Sequence, residues 1–193
     1  MRSVFLAPKL IPDTRRYNYG PKLSKGYDWI GPTPGELIGT SYLKSSDGSQ
    51  ISATNKYDLI LLTVVDPACP ASKASRDQME YLSRELKDLN IDYNIATFSP
   101  NVTALDMAAY VKSLTLDVSS VTWTSEERPA EAIQKMVSPS HILIDSKGEV
   151  IQTFPGTSVF EDVRLLMVKE VMRQIRKQIE FREHLIKDGL LLR

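Results

Sequence analysis

Cysteine is nearly missing from this chain: of 193 residues only one, Cys69, carries a thiol. That excludes an internal disulfide and any metal site built from several thiolates, and it leaves the redox state of the compartment unmarked. Net charge is missing as well, since 24 Lys and Arg balance 24 Asp and Glu. No overall field draws such a molecule to nucleic acid, anionic lipid or acidic substrates; only local patches can do so. Long apolar runs are also absent. The longest, Leu59 to Val65, has the length of one buried strand, far short of the ~18 residues that cross a bilayer. The apolar stretch between Arg2 and Lys9 is too short for the core of a signal peptide. The expectation is a soluble protein with no transmembrane segment and no nucleic-acid partner, either cytoplasmic or an exported domain whose signal lies outside this sequence.

What the chain does contain falls into two parts. Residues 1–36 form an arm in which Pro8, Pro12, Pro21, Pro32 and Pro34 alternate with Gly20, Gly26, Gly31 and Gly35, so no long helix or central strand runs through it. Tyr17, Tyr19, Tyr27 and Trp29 give the arm apolar area to pack on the domain surface or on a partner. Regular patterning occupies 37–193. Leu37 to Leu43 and Gln50 to Ala53 flank Ser45-Ser46-Asp47-Gly48, a hairpin signal. The run ending at Val65 predicts a strand covered on both faces. Residues 71–89 read as a helix, 91–98 as a strand, and Thr103 with Asp106 as the capping box of a further helix. A short extended piece is expected at 118–123 and a helical turn at 131–136. His141 to Asp145 and Glu149 to Phe154 form an antiparallel pair around Ser146-Lys147-Gly148, and one long helix covers 159–187. Its apolar stripe, from Val163 to Ile179, is core or a seam for a homodimer. The order predicts an α/β domain with a central mixed sheet and helices on both faces.

The chemistry concentrates in Thr63-Val64-Val65-Asp66-Pro67-Ala68-Cys69-Pro70-Ala71-Ser72-Lys73. A buried strand ends, a loop turns, and Cys69 arrives at the start of a helix, where unsatisfied N–H groups and the helix dipole favour a thiolate. The alternative for a lone cysteine is a small buried hydrophobe. Both stay open on position alone.

This segment resembles the active-site loop of thioredoxin-fold proteins, closest to the TlpA-like, AhpC/TSA-related redoxins, in which Cys-Pro-Pro-Cys and a basic residue follow a strand. Cys69-Pro70-Ala71-Ser72-Lys73 matches with Ala71 for the second proline and Ser72 for the second cysteine, and Ala68 replaces an aromatic residue. A second match is Val137-Ser138-Pro139-Ser140-His141-Ile142-Leu143-Ile144-Asp145 through Gly148. It is similar to the family segment that carries a cis-proline facing the cysteine loop. Phe154-Pro155-Gly156 fits as well. The resemblance covers about 37–187 and implies a thioredoxin-like fold with Cys69, Ser72 and Pro139 at the reaction centre. Pro67, Ala68, Pro70 and Ser138 would line the substrate, and Asp66 and Lys73 would be auxiliary. No cofactor and no metal are implied: copper-binding relatives need two cysteines, and His141 lacks such partners.

Dithiol exchange needs a second thiolate to expel the first mixed disulfide, and Ser72 cannot supply one. It can donate a hydrogen bond to the Cys69 thiolate. The expectation is monothiol exchange with a protein or low-molecular-weight thiol or disulfide. A non-catalytic binding module is the rival. A peroxiredoxin-like thiol peroxidase is further off, because Leu62, Asp66 and Pro139 stand where that branch carries its proline, threonine and arginine. Asp66 is expected to serve the loop, Lys73 to be solvated, and Trp29 and Trp123 to pack.

Overall fold

The apolar run before Cys69 becomes β2, Leu59–Val64, with all six residues buried, as a strand packed on both faces must be. The computed structural model describes residues 31–38, 43–45, 50–99, 101–114, 116, 119–123, 136, 138–154, 156 and 161–190. The arm from 1 to 30, the Asp47-Gly48 turn, the expected helical turn up to 135 and the side chain of Trp123 lie outside the described residues.

The elements in chain order are β1 (Leu43–Ser45), β2, α1 (Pro70–Ala74), α2 (Arg76–Asp88), β3 (Asp92–Thr97), α3 (Ala104–Ser113), β4 (Ser119–Trp123), β5 (Ser140–Asp145), β6 (Val150–Phe154) and α4 (Glu161–Lys187). The six strands form one sheet in the order β1-β4-β3-β2-β5-β6. Strands β4, β3 and β2 are parallel neighbours, whereas β1 on β4, β5 on β2 and β6 on β5 are antiparallel. This is a mixed sheet with flanking helices and a long C-terminal helix.

One expectation is corrected. Residues 71–89 are two helices rather than one. Ser75 interrupts them, at φ −91° and ψ 12°, because its hydroxyl donates to the Ala71 carbonyl at 2.7 Å. A serine that bonds back to residue i−4 bends a helix. Most of the expected hairpin, residues 39–42 and 46–49, lies outside the described residues. Leu37 bridges to Glu149, and Glu36 and Ile38 exchange backbone hydrogen bonds with Val150 and Gly148, so the end of the arm lies along the β6 edge. Glu36 and Ile38 meet edge groups that would otherwise stay unpaired.

Alternate strand residues face two clusters. Leu59, Leu61, Val65, Tyr93, Ile95, Leu143 and Phe154 pack with α2, α3 and α4. Ile60, Leu62, Val64, Ala96, Ile142 and Ile144 pack with Ile38 and Ile51. Helices α2, α3 and α4 therefore share one face, the other face is covered among the described residues by Ile38 and Ile51, and the segment 124–135 lies outside the described residues. Polar ties close the entry to β2. Asn55 accepts from the N–H groups of Tyr57 and Leu59, and the Asp92 carboxylate on β3 accepts from Thr54 and Asn55. The capping box of α3 is present: Thr103 Oγ1 accepts from Asp106 N, and the Asp106 carboxylate accepts from Thr103 N. Those bonds hold the Asp106 carboxyl below its usual range.

Candidate active-site loop

Strand β2 ends where Val65 N–H makes its last bond to the neighbouring strand, at Ala96 O. The chain then closes a small ring. Cys69 N–H donates to Asp66 O at 2.9 Å, Ala68 N–H donates to the Asp66 carboxylate at 2.9 Å, and Asp66 N–H donates to Ser72 Oγ at 3.2 Å. Pro70 occupies the first turn of α1 with Cys69 as its N-cap residue, a position where a missing N–H costs nothing. Pro67 is half-buried, Ala68 and Pro70 are exposed, Lys73 is exposed as expected, and Cys69 is half-buried.

Sequence position makes Ser72 a candidate donor to Cys69; the bond the structure gives its Oγ is one it accepts, from the Asp66 N–H. Ser72 is wholly buried, and its oxygen serves the Asp66 N–H. Its carbonyl accepts from Tyr110 Oη at 2.9 Å and from Ser75 N at 3.4 Å. Ser72 is thus a pin that shapes the ring from both ends. Asp66 likewise directs its carboxylate into the ring.

The second motif meets the first through the β2–β5 pairing and, at the loops, through the Cys69 sulfur. The Ser138–Pro139 peptide bond is cis, and Cys69 Sγ stands 3.8 Å from the Ser138 carbonyl oxygen. Pro139 is buried and Ser138 half-buried. Gly156 backs this loop so closely that a Cβ there would sit 1.7 Å from Pro139 O. His141, two residues on, is buried, and burial lowers its pKa to about 4; its Nδ1 lies 2.9 Å from Thr63 Oγ1. It is a neutral strand residue at ordinary pH, not a base aimed at Cys69.

Chemically, the arrangement presents one accessible thiol beside a backbone carbonyl, flanked by exposed Ala68 and Pro70. No group of His, Cys, Asp and Glu suited to a metal is found among the described residues, and none of their helices is long and apolar enough to cross a membrane. Sequence reasoning missed Tyr110 and the pairing of Thr63 with His141. The latter had a signal, since both are polar residues inside otherwise apolar strand runs.

No protein-family model and no curated protein matches the sequence. Solved structures do match in shape. A candidate protein disulfide isomerase from Bacteroides thetaiotaomicron superposes with a TM-score of 0.55 at 13% identity, over 79% of this chain and 93% of that one. A candidate thiol:disulfide interchange protein DsbE from Chlorobium tepidum gives 0.54 at 13% identity, over 78% and 97%. A thio-disulfide isomerase from Thermus thermophilus gives 0.50 at 19% identity, over 70% and 97%. The chain has the thioredoxin-like fold. At these identities the likeness extends to the fold and no further.

Proposed function

We propose that this protein is a thiol-dependent redox protein that works by monothiol exchange through Cys69. The observation that carries the reading is the half-buried Cys69 sulfur held 3.8 Å from the Ser138 carbonyl, beside Pro139, on a thioredoxin-like fold. In the reaction the Cys69 thiolate attacks a disulfide R–S–S–R′. A bond forms from Cys69 Sγ to one sulfur, the S–S bond breaks, and R′–S⁻ leaves. With no second cysteine in the chain, an external thiol must release Cys69 by the same exchange in reverse. Ser138 and Pro139 provide the edge for the substrate chain, Pro67, Ala68 and Pro70 line its approach, and Lys73 adds positive charge nearby. Ser72 and Asp66 hold the loop shape. The partner is a protein or a low-molecular-weight thiol or disulfide.

The test is incubation of the native protein with glutathione disulfide, followed by intact-mass measurement. One glutathione adduct that disappears in Cys69→Ser, and that excess glutathione removes, supports the reading. A thiol that forms the adduct only after denaturation sinks it. That outcome would favour a binding module that retains the fold, a reading to which the commitment of Ser72 and Asp66 to loop structure lends some weight.

A further inference from the structure

Behind the contact between Cys69 and Ser138 runs a line of buried polar side chains that thiol exchange does not use. Thr63 on β2 is fully buried. Its Oγ1 lies 3.0 Å from Tyr93 Oη on β3 and 2.9 Å from His141 Nδ1 on β5. Thr63 and His141 are directly opposed in the β2–β5 pairing, so the line crosses three strands on the face that carries α2 and α4. A neutral imidazole has one donor and one acceptor nitrogen, and a buried one left unmet costs ~1–3 kcal/mol.

The second nitrogen has a place to satisfy that need. His141 is 5% exposed, and Nε2 makes no hydrogen bond to a described residue. The ring lines a cavity of about 20 Å³ with Gln78, Phe154, Gly156, Glu170 and three apolar residues of α4. That volume suits a single water, which needs ~10–15 Å³. Gly156 belongs both to the cavity wall and to the contact with Pro139 O, so the cavity backs directly onto the loop that faces Cys69.

We propose that His141 is a positioning residue for the Ser138–Pro139 loop: Nδ1 moors the strand leaving that loop to Thr63 and Tyr93, and Nε2 holds one water in the cavity behind Pro139. The groups facing the imidazole are the Thr63 hydroxyl from β2, the Tyr93 hydroxyl from β3, Gln78 from α2, Phe154 from β6 and Glu170 from α4. Burial raises the Tyr93 pKa, so its hydroxyl stays neutral. Glu170 pairs with Arg173 and Gln174, which spreads its charge away from the ring. His141 therefore acts as a neutral hydrogen-bonding post, and its effect on Cys69 passes through the position of the Ser138 carbonyl. That last link rests on the reading of Cys69 as the reactive group.

The experiment compares the full-length wild type with His141→Leu, His141→Asn and Thr63→Val. Three quantities are read: amide hydrogen exchange at Ser140 and His141, the native alkylation rate of Cys69, and ¹⁵N spectra of the imidazole with water cross-relaxation. His141→Leu and Thr63→Val should raise the exchange rates roughly tenfold, the signature of a loosened local unit. They should shift the alkylation rate by roughly threefold through altered access and environment of the thiol. His141→Asn, which keeps a polar atom near the Nδ1 position, should restore most of both. The wild-type ring should show one neutral tautomer with a water contact at Nε2. Unchanged exchange in both Leu and Val variants overturns the proposal, as does an Asn variant that behaves like Leu. An Nε2 with no water contact overturns the water site. Thr63→Val, close to isosteric, decides the matter if His141→Leu fails to fold. If native wild-type Cys69 does not alkylate, the functional reading fails, while exchange and imidazole spectra still judge the mooring.

Discussion

The Asp66–Ser72 loop and the Ser138–Pro139 loop meet at a sulfur–oxygen contact, yet they are held in opposite ways. The first closes on itself through the Cys69, Ala68 and Asp66 N–H groups, with one added tie from Tyr110 on α3. The second has its support from afar, from Gly156 against Pro139 O and from His141, which reaches Thr63 on the neighbouring strand. A self-closed loop keeps its shape through short-range bonds that cost little chain entropy to form. A loop braced by packing depends on residues that are remote in sequence, and it is the more exposed to substitutions elsewhere.

The largest effect that distinguishes the two loops is expected at Gly156. Alanine there puts a methyl group on the Pro139 carbonyl, and an unrelieved backbone clash should destabilise the fold by about 3 kcal/mol. Urea unfolding measures this, and hydrogen exchange should show the Pro139 side loosened while the Asp66 N–H stays protected. Equal loss of protection at Asp66 would break the distinction.

The next effect is a pH dependence on the Pro139 side. His141 has its pKa lowered from 6.5 to about 4 by burial, so between these values the unfolded chain binds a proton that the folded chain does not. Stability then rises with pH across that window and is lost as pH falls from about 6.5 towards 4. At ~1.4 kcal/mol per pKa unit the full swing is about 3 kcal/mol. Asp106 and Glu183, with carboxyl pKa values held below the usual range, also lose stability in acid. The difference between wild type and His141→Leu, followed as thermal unfolding from pH 7 to 4, therefore isolates the histidine: its slope should be the shallower. Identical slopes would remove His141 from the account.

The smallest effect belongs to the self-closed loop. Ser72→Ala leaves the Asp66 N–H without its acceptor, a cost of about 1 kcal/mol. It should speed exchange at Asp66 and leave the amides of Ser140 and His141 unchanged. Coupled changes at both loops would mean that the ring is not locally closed.

The sequence made some of this visible and hid the rest for physical reasons. Strand β2 was legible because six consecutive residues are buried on both faces, and the α3 start because a capping box needs only two residues three apart. The break at Ser75 was hidden by helical periodicity that continues through it from Ala74 to Met79. The bond that Ser72 accepts was hidden because family position points only to Cys69, whereas the tight turn at Pro67 brings the backbone N–H of Asp66 to its oxygen. Tyr110 sits at a core spacing on α3, and only the fold brings its hydroxyl to the loop. Leu37 carries a strand-like pattern, but its pairing partner, Glu149, lies more than a hundred residues away.

The central claim, that Cys69 is a working thiol held between these two loops, is tested most directly by the rate of its alkylation by iodoacetamide in native and in denatured protein. The account predicts native alkylation at a rate comparable to or above the denatured one, restricted to Cys69 and lost in Cys69→Ser. A thiol that resists the reagent until the protein unfolds would contradict it.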